Sequence, residues 1–503
     1  MTSTHSGGLI LAIALSAMVG GVILLSGDTP VGGIGLVALL AVVFLTVYRL
    51  EWGVYIFMGT VLLIDQFEVP EFTSLTYKTN YFNNLNVIPY LPRIEAAAFS
   101  PMDLHLGLLF VVWLSRYIFR TMPPLRPPVA WQFALAFILW LAIGFVTGAG
   151  RGGDMTAALW ELRGLVYLFI SYTFVSQVIR TPDQVRSLLW VCIAAITVKA
   201  LEGTFRFVSL GFTLGGHDAL LTHEDPIFFI TLWILLLAFA VNGVRTAQRN
   251  ALLWVFIPLL LGFYAANRRA AFASLAASLV TFGALLPREK LLRFLRKSIP
   301  ALVCIGIYVA LFWGSPSTIA TPLNQIRSGF VDDYATLGDR NYYSNLYRKH
   351  ENYNLAYTVR QYPVGGIGFG TKYYQPLELV KINYALRDYM AHNNLLWLLV
   401  KVGAFGFVLF WLFVNVFGVR GAMIINRLQN PYLRAVGIMV VIAVINQLVA
   451  AYFDLHLVRY RTMTYMGALM GLFPVLEATL ASEQAAAAST TETGSTSGKE
   501  HAR

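Results

Sequence analysis

Arginines at the borders of apolar runs are the first residues of this sequence that could do chemistry. A guanidinium presents paired donors that match the oxygens of a phosphate or a carboxylate. Where such an arginine stands alone, the ordinary explanation is snorkelling to lipid phosphate, or a salt bridge such as Glu161 with Arg163. Five arginines occupy such borders: Arg163, Arg268, Arg269, Arg459 and Arg461.

Among the eight histidines, His392 has the surroundings of a proton acceptor. It ends a polar segment and is followed by Asn393, Asn394 and an apolar run. A histidine at such a border is close to water yet partly desolvated, which suits a general base. Capping of the following helix by histidine or asparagine explains the pattern equally well, so both interpretations stay open. His217 and His223 lie near acids, but their spacing matches no standard metal-ligand pattern, and we expect no metal site.

The elements that must position these residues are membrane helices. Hydrophobic residues make up 57% of the 503 positions and charged residues 13%, and the mean hydropathy is +0.63, whereas soluble domains carry about 25% charged residues. The apolar stretches have the length of membrane-spanning helices and lack the alternation of barrel strands. The sequence therefore predicts an all-α polytopic membrane protein with about 12–14 transmembrane helices.

Fourteen segments can be placed as spans. The first lacks a basic leader and a clean cleavage site, so we expect a retained helix and not a signal peptide. The segments lie near residues 9–25, 31–49, 52–66, 103–119, 128–147, 163–179, 187–209, 226–243, 251–266, 270–286, 298–314, 392–418, 433–453 and 458–478.

Lysine and arginine accumulate in every second loop, which predicts the orientation. By the positive-inside rule these loops and both termini are cytoplasmic. Topology thus accounts for much of the net charge of +11 without nucleic acid. The border arginines fall on the other, periplasmic side. Because several of them violate the rule together, they indicate a site for a membrane-borne anion such as a lipid diphosphate.

One long loop, residues 315–391, dominates the predicted periplasmic side. Its length and its mixture of tyrosine, asparagine and charges suggest a folded, functional segment. Residues 340–361 could form a helix, and Pro363–Gly370 reads as a dense turn. We expect one transmembrane domain over residues 1–479, and a disordered cytoplasmic tail over residues 480–503 because the tail has no apolar period.

Three motifs in order resemble the O-antigen ligase and polymerase superfamily of bacterial envelope glycosyltransferases. Asn267–Phe272 is similar to its Ser-Arg-Gly/Thr-Ala turn, with Arg269 at the arginine position. Arg348, followed by the Pro363–Gly370 turn, resembles its arginine and Pro-x-x-Gly-x-Gly loop. His392–Leu395 with two later glycines resembles its His-Asn-x-x-Leu and Glu-x-Gly-x-x-Gly motifs. Lys401 replaces the usual glutamate, and Arg268 replaces the usual serine.

The resemblance implies a metal-independent, inverting transferase that uses no cofactor. Its donor would be an undecaprenyl-diphosphate-linked glycan and its acceptor a glycan or glycolipid hydroxyl at the periplasmic face. His392 would take the proton of that hydroxyl, while Arg269 and Arg348 would stabilise the departing diphosphate. The remaining candidates for binding the diphosphate or the glycan are Arg163, Arg268, Asn393, Arg459 and Arg461.

Three functions are compatible with these residues. A ligase would move a finished polysaccharide to a lipid A-core or similar acceptor, in lipopolysaccharide or exopolysaccharide biosynthesis. A polymerase of the same superfamily would extend the chain on its lipid carrier by the same chemistry. A flippase or transporter ranks below both, because it should show two related halves with broken helices.

Overall fold

The computed structural model describes residues 30–69, 72, 76–87, 99–331, 334–380 and 386–500, and this part of the chain is helical, with no β-strand. It confirms the predicted all-α polytopic membrane protein. The helices are α1 (Pro30–Tyr48), α2 (Leu50–Leu63), α3 (Pro101–Ile118), α4 (Trp131–Gly150), α5 (Met155–Val178), α6 (Pro182–Ser209), α7 (Asp225–Val241), α8 (Ala247–Trp254), α9 (Phe256–Ala266), α10 (Arg269–Leu285), α11 (Arg288–Phe312), α12 (Thr321–Arg327), α13 (Tyr334–Gln361), α14 (Asn394–Arg427), α15 (Pro431–Phe453), α16 (Tyr460–Met470) and α17 (Phe473–Glu500).

A described helix coincides with each predicted span except the first, near residues 9–25, which lies outside the described residues. Among the described residues, seven helices are long and apolar enough to cross a membrane, and the α8–α9 pair, bent by 50°, can supply an eighth. Four further apolar helices are shorter, among them α7 and α10. The total number of spans therefore stays a prediction.

Local sequence signals set the helix starts. Thr181 and Gln184 form a capping box at the start of α6, and Asp154 and Asn430 cap α5 and α15 through their side chains. Each cap satisfies backbone N–H groups that have no partner in the first turn.

Contacts divide the chain into two units, residues 1–60 with 80–125, and residues 61–79 with 126–503. Every candidate site residue belongs to the second unit. Within this unit α5 packs against α16, α6 packs against α9, and α4 packs against α14. Helix α15 packs against both α7 and α10. Gly164 and Gly467 permit the closest approaches of α5, because a Cβ at Gly467 would lie 2.2 Å from the carbonyl oxygen of Leu168.

The long loop contains two helices, α12 and α13, and the helix predicted over residues 340–361 is confirmed within α13. At the other end of the chain, α17 continues to Glu500, through most of the segment that we expected to be disordered. Its alanine-rich part favours helix, whereas its serine, threonine and glycine do not. The division into a transmembrane domain and a tail stays a prediction.

Candidate functional site

Three arginines from two parts of the chain line one cavity of about 590 Å³. Arg268 and Arg269 come from the turn before α10, and Arg348 comes from α13. This space is called the arginine cavity below. The chain thus brings together the two motifs that the sequence placed 79 positions apart, and their guanidinium groups suit a polyanion.

Arg269 joins α10 to the long loop. Its Nη1 donates to Oδ1 of Asn345 at 2.6 Å and its Nη2 to Oγ of Ser344 at 3.3 Å. Both acceptors stand on α13 one turn before Arg348, so these bonds help to hold Arg348 at the cavity.

Arg268 carries a charge that is costly in its surroundings. Burial, more than any neighbour, lowers the pKa of Arg268. Arg459 and Arg348 also lower it, Asp454 and Glu224 oppose them, and the resulting pKa is about 10. A bound anion would relieve this cost, because it would supply the missing opposite charge.

His392 is held by a carboxylate of α13. Its Nδ1 lies 3.2 Å from both Oε1 and Oε2 of Glu351, and its backbone N–H donates to Oε2 at 2.9 Å. The Glu351 side chain is 1% exposed, whereas that of His392 is 26% exposed. A carboxylate that accepts Nδ1–H leaves the lone pair on Nε2, which is the arrangement of a general base.

Asn393, and not His392, caps helix α14. Its side-chain oxygen accepts the backbone N–H of Leu396 at 3.1 Å, and its Nδ2 donates to Asn352 at 3.1 Å. The capping explanation therefore belongs to Asn393. His392 is left with Glu351 and an edge contact to the Tyr347 ring, whose centroid is 5.5 Å away.

The glycine-rich turn is wedged between α4 and α14. Ile367 and Gly368 donate to the carbonyls of Val400 and Lys401, and Phe369 donates to that of Gly144. Gly366 and Gly403 have φ of 71° and 67°, and their backbones lie against one another. A side chain does not fit here, because a Cβ at Gly403 would lie 2.1 Å from the carbonyl oxygen of Val364. These N–H groups are engaged in helix contacts, and the turn anchors the segment that leads to His392.

Lys401, which departs from the resemblance, has a partner. Its Nζ lies 2.7 Å from Oε1 of Glu161 on α5, and both side chains are fully buried. Glu161 also accepts the N–H of Gly370 at 2.6 Å, and Lys401 donates to the carbonyl of Thr371. The ion pair therefore holds the far end of the glycine-rich turn, and Glu161 pairs with Lys401 where the sequence suggested Arg163.

A second cavity of about 1100 Å³ adjoins the first. Phe67, Trp160 and Tyr389 contribute its rings, so it is called the aromatic cavity here. Arg268 and His223 line both cavities, which places them where the two spaces meet. Aromatic rings and mixed charges of this kind suit a sugar chain.

The other predicted arginines differ in what they contact. Arg459 lines the aromatic cavity, pairs with Glu224 at 3.3 Å and lies over the Phe67 ring. The Arg163 guanidinium lies 5.8 Å from the ring centroids of Trp160 and Tyr460.

Arg461 is fully buried among carboxylates. It lies 3.0 Å from Asp225, 3.6 Å from Asp65 and 3.8 Å from Glu224, and Asp65 also pairs with Lys199 at 2.9 Å. These five residues are called the buried ion network below. The contacts give Arg461 a structural task, and its role in substrate binding stays a prediction. Within the described residues, no group of three His, Cys, Asp or Glu side chains is arranged to hold a metal ion.

Residues 254–411 match the family described as O-antigen ligase. Residues 254–411 thus form an O-antigen ligase domain, which supports the O-antigen ligase and polymerase superfamily for this chain. A comparison with curated proteins gave no match. The family implies a glycosyltransferase-like membrane enzyme that acts on lipid-linked glycans in polysaccharide biosynthesis.

The O-antigen ligase domain contains the arginine cavity's three arginines, His392 and Lys401, but several partners of these residues were missed from the sequence. Glu351 is one acid in a charged helix, and only its position three residues after Arg348 could have drawn attention to it. Glu161 was paired with the wrong cation, because the correct one is 240 positions away.

Proposed function

We propose that this protein transfers a glycan from a lipid diphosphate to an acceptor hydroxyl at the periplasmic face of the inner membrane, as an O-antigen ligase does. The arginine cavity carries this proposal, because three guanidinium groups converge in it beside an O-antigen ligase motif. We place the diphosphate of an undecaprenyl-linked donor there. The acceptor, a glycan or glycolipid, would lie in the aromatic cavity.

In this reaction His392 acts as the general base. Glu351 keeps the proton on Nδ1, so Nε2 can take the proton of the acceptor hydroxyl as its oxygen attacks the anomeric carbon. Attack opposite the leaving diphosphate inverts that carbon. Arg269 and Arg348 stabilise the charge that develops on the diphosphate, and neither step requires a metal ion.

The test is the envelope polysaccharide of a deletion strain complemented with His392→Ala. We expect long-chain polysaccharide to be lost while the variant is present in the membrane at normal level. Accumulation of long lipid-linked chains would indicate a ligase, and accumulation of single repeat units would indicate a polymerase. His350→Ala, on α13, is the matched control. Normal polysaccharide from the His392→Ala strain would contradict the assignment of the base.

The arginines are tested by charge-preserving changes. Arg269→Lys and Arg348→Lys keep the charge but lose the paired donors, so we expect transfer to fall by about 10-fold or more. Arg360→Lys provides the control, because Arg360 is exposed near the end of the same helix as Arg348. Equal activity of all three variants would mean that the cavity binds no diphosphate.

A further inference from the structure

A second histidine–carboxylate pair lies in the wall of the arginine cavity. Nδ1 of His223, in the segment between α6 and α7, contacts Oδ2 of Asp454 at the end of α15. Both residues line the arginine cavity, and His223 also lines the aromatic cavity. The imidazole therefore stands at the place where the donor and the acceptor of the proposed reaction would meet.

A purely structural role does not account for this pair. The His223 side chain is 33% exposed, so it is not sealed in the core. Asp454, like Asp218, would repel an anion in a cavity that also presents three arginines, and a protonated His223 offsets the charge of Asp454. With Nδ1 turned to Asp454, Nε2 is the ring nitrogen left to meet a ligand.

The chemistry of the leaving group calls for a proton donor here. In the donor both phosphates are diesters, each with one negative charge. When the glycosyl bond breaks, its electron pair stays on a phosphate oxygen. The leaving group is then the diphosphate monoester of the prenyl chain, and its terminal phosphate has a second pKa of about 6. A positioned acid next to that oxygen lowers the energy of the developing charge.

We propose that His223, supported by Asp454, is the general acid for the departing lipid diphosphate. This inference rests on the proposed function. The acceptor oxygen bonds to the anomeric carbon as the carbon–phosphate-oxygen bond breaks. The freed phosphate oxygen takes the proton from Nε2 of His223, and His392 takes the proton of the acceptor hydroxyl. Afterwards His392 returns its proton to water and His223 is protonated again.

Occupancy of the site should control the charge of His223. Burial, followed by Arg268, lowers the pKa of His223, whereas Asp454 raises it. Burial also lowers the pKa of the neighbouring His456 to about 4, so His456 is neutral at pH 7.5. A diphosphate adds negative charge and raises the pKa of His223, so binding should take up a proton. The charged and titratable groups that act on His223 are Asp454, Arg268, Arg459, His456 and Glu224, and the cavity that it lines also presents His217, Asp218, Arg269 and Arg348.

The experiment measures that proton. Full-length protein in detergent is titrated calorimetrically at pH 7.5 with a short-chain prenyl-diphosphate sugar, in two buffers of different ionisation enthalpy. This probe is a diester and does not itself titrate near pH 7.5. We expect wild-type binding to take up as much as one proton, and His223→Gln to bind with almost none and to lose about 100-fold in kcat.

Two further variants distinguish proton donation by His223 from a general loss of structure in the cavity. Asp454→Asn should also reduce the proton uptake, because it removes the charge that stabilises the imidazolium. His350→Gln, on α13 and outside the linings of both cavities, should retain it. Binding without proton uptake in the wild type, or equal uptake in His223→Gln, overturns this proposal alone. A wild type that does not bind the probe overturns the diphosphate site as well.

Discussion

Each of the two histidines proposed to move protons faces a carboxylate through Nδ1, yet their surroundings differ. Glu351 is buried under His392 and accepts both its ring and its backbone N–H, which favours one tautomer with a basic Nε2. Asp454 and His223 lie among arginines, and we propose that an anion bound there raises the pKa of the imidazole. The groups around each imidazole, and not the residue type, therefore distinguish the proposed base, His392, from the proposed acid, His223.

The pairing of His392 predicts the behaviour of Glu351→Gln. The amide keeps the shape and can still accept the backbone N–H of His392, but it no longer stabilises an imidazolium. We expect kcat to fall by about 100-fold or more with little change in the KM for the donor. A transfer assay on purified protein measures both constants. If KM rose and kcat stayed constant, Glu351 would serve binding and not the base.

At the scale of elements, the glycine-rich turn and the kink that Gly403 introduces into α14 form one unit. Backbone bonds tie the turn to α4 and α14, and the Glu161–Lys401 pair fixes its end. His392 directly precedes Asn393, the N-cap of α14, so the contacts that fix this helix also help to position His392. A rigid element of this kind keeps a reacting side chain within the small tolerance that catalysis demands.

Gly403→Ala tests the contact between turn and kink. An alanine there must adopt φ near 67° with its Cβ against the Val364 oxygen, so we expect a loss of more than about 2 kcal/mol in stability. Gly418→Ala in the same helix meets nothing within 4 Å and should be neutral or slightly stabilising. Thermal unfolding in detergent compares them, and equal melting temperatures would contradict the close contact.

Lys401→Met tests the buried ion pair. It leaves the Glu161 carboxylate without its cation, which we expect to cost about 3–5 kcal/mol. Adding Glu161→Gln should recover most of the loss, because the amide stays neutral and can still accept the N–H of Gly370. The melting temperatures of the single and double variants decide this, and a double variant no more stable than Lys401→Met would speak against a direct pairing.

Much of the fold was predictable because apolar length and turn residues are local signals. The predicted helix over residues 340–361 and the dense turn at Pro363–Gly370 came from such signals. The Glu351–His392 and Glu161–Lys401 pairs were not predictable from local signals, since their residues are 41 and 240 positions apart, respectively. Which carboxylate meets which cation depends on helix packing, and no local pattern specifies that packing.

For the whole molecule, the orientation in the membrane decides whether the site can meet its substrates. The proposed reaction requires α13 and the arginine cavity to face the periplasm, as the distribution of lysine and arginine predicts. The segment around Arg245, between α7 and α8, should then face the cytoplasm.

Single cysteines can measure this orientation. Cys304 is exposed and is first changed to serine, whereas Cys192 is buried. Arg360→Cys should react with a membrane-impermeant maleimide in intact spheroplasts, and Arg245→Cys only after lysis. The reverse labelling pattern would show the opposite orientation, with the arginine cavity on the cytoplasmic side and out of reach of the proposed substrates.

The buried ion network also has a consequence for biogenesis. Arg461 donates to the carbonyl of Leu62, 399 positions earlier, and to Asp225. During synthesis Asp65, Glu224 and Asp225 are therefore made long before this cation exists. A nascent chain that ends before α16 holds three carboxylates of the network and one of its two cations, Lys199. The network closes only once Arg461 has been made, so the last helices complete the packing of the early ones.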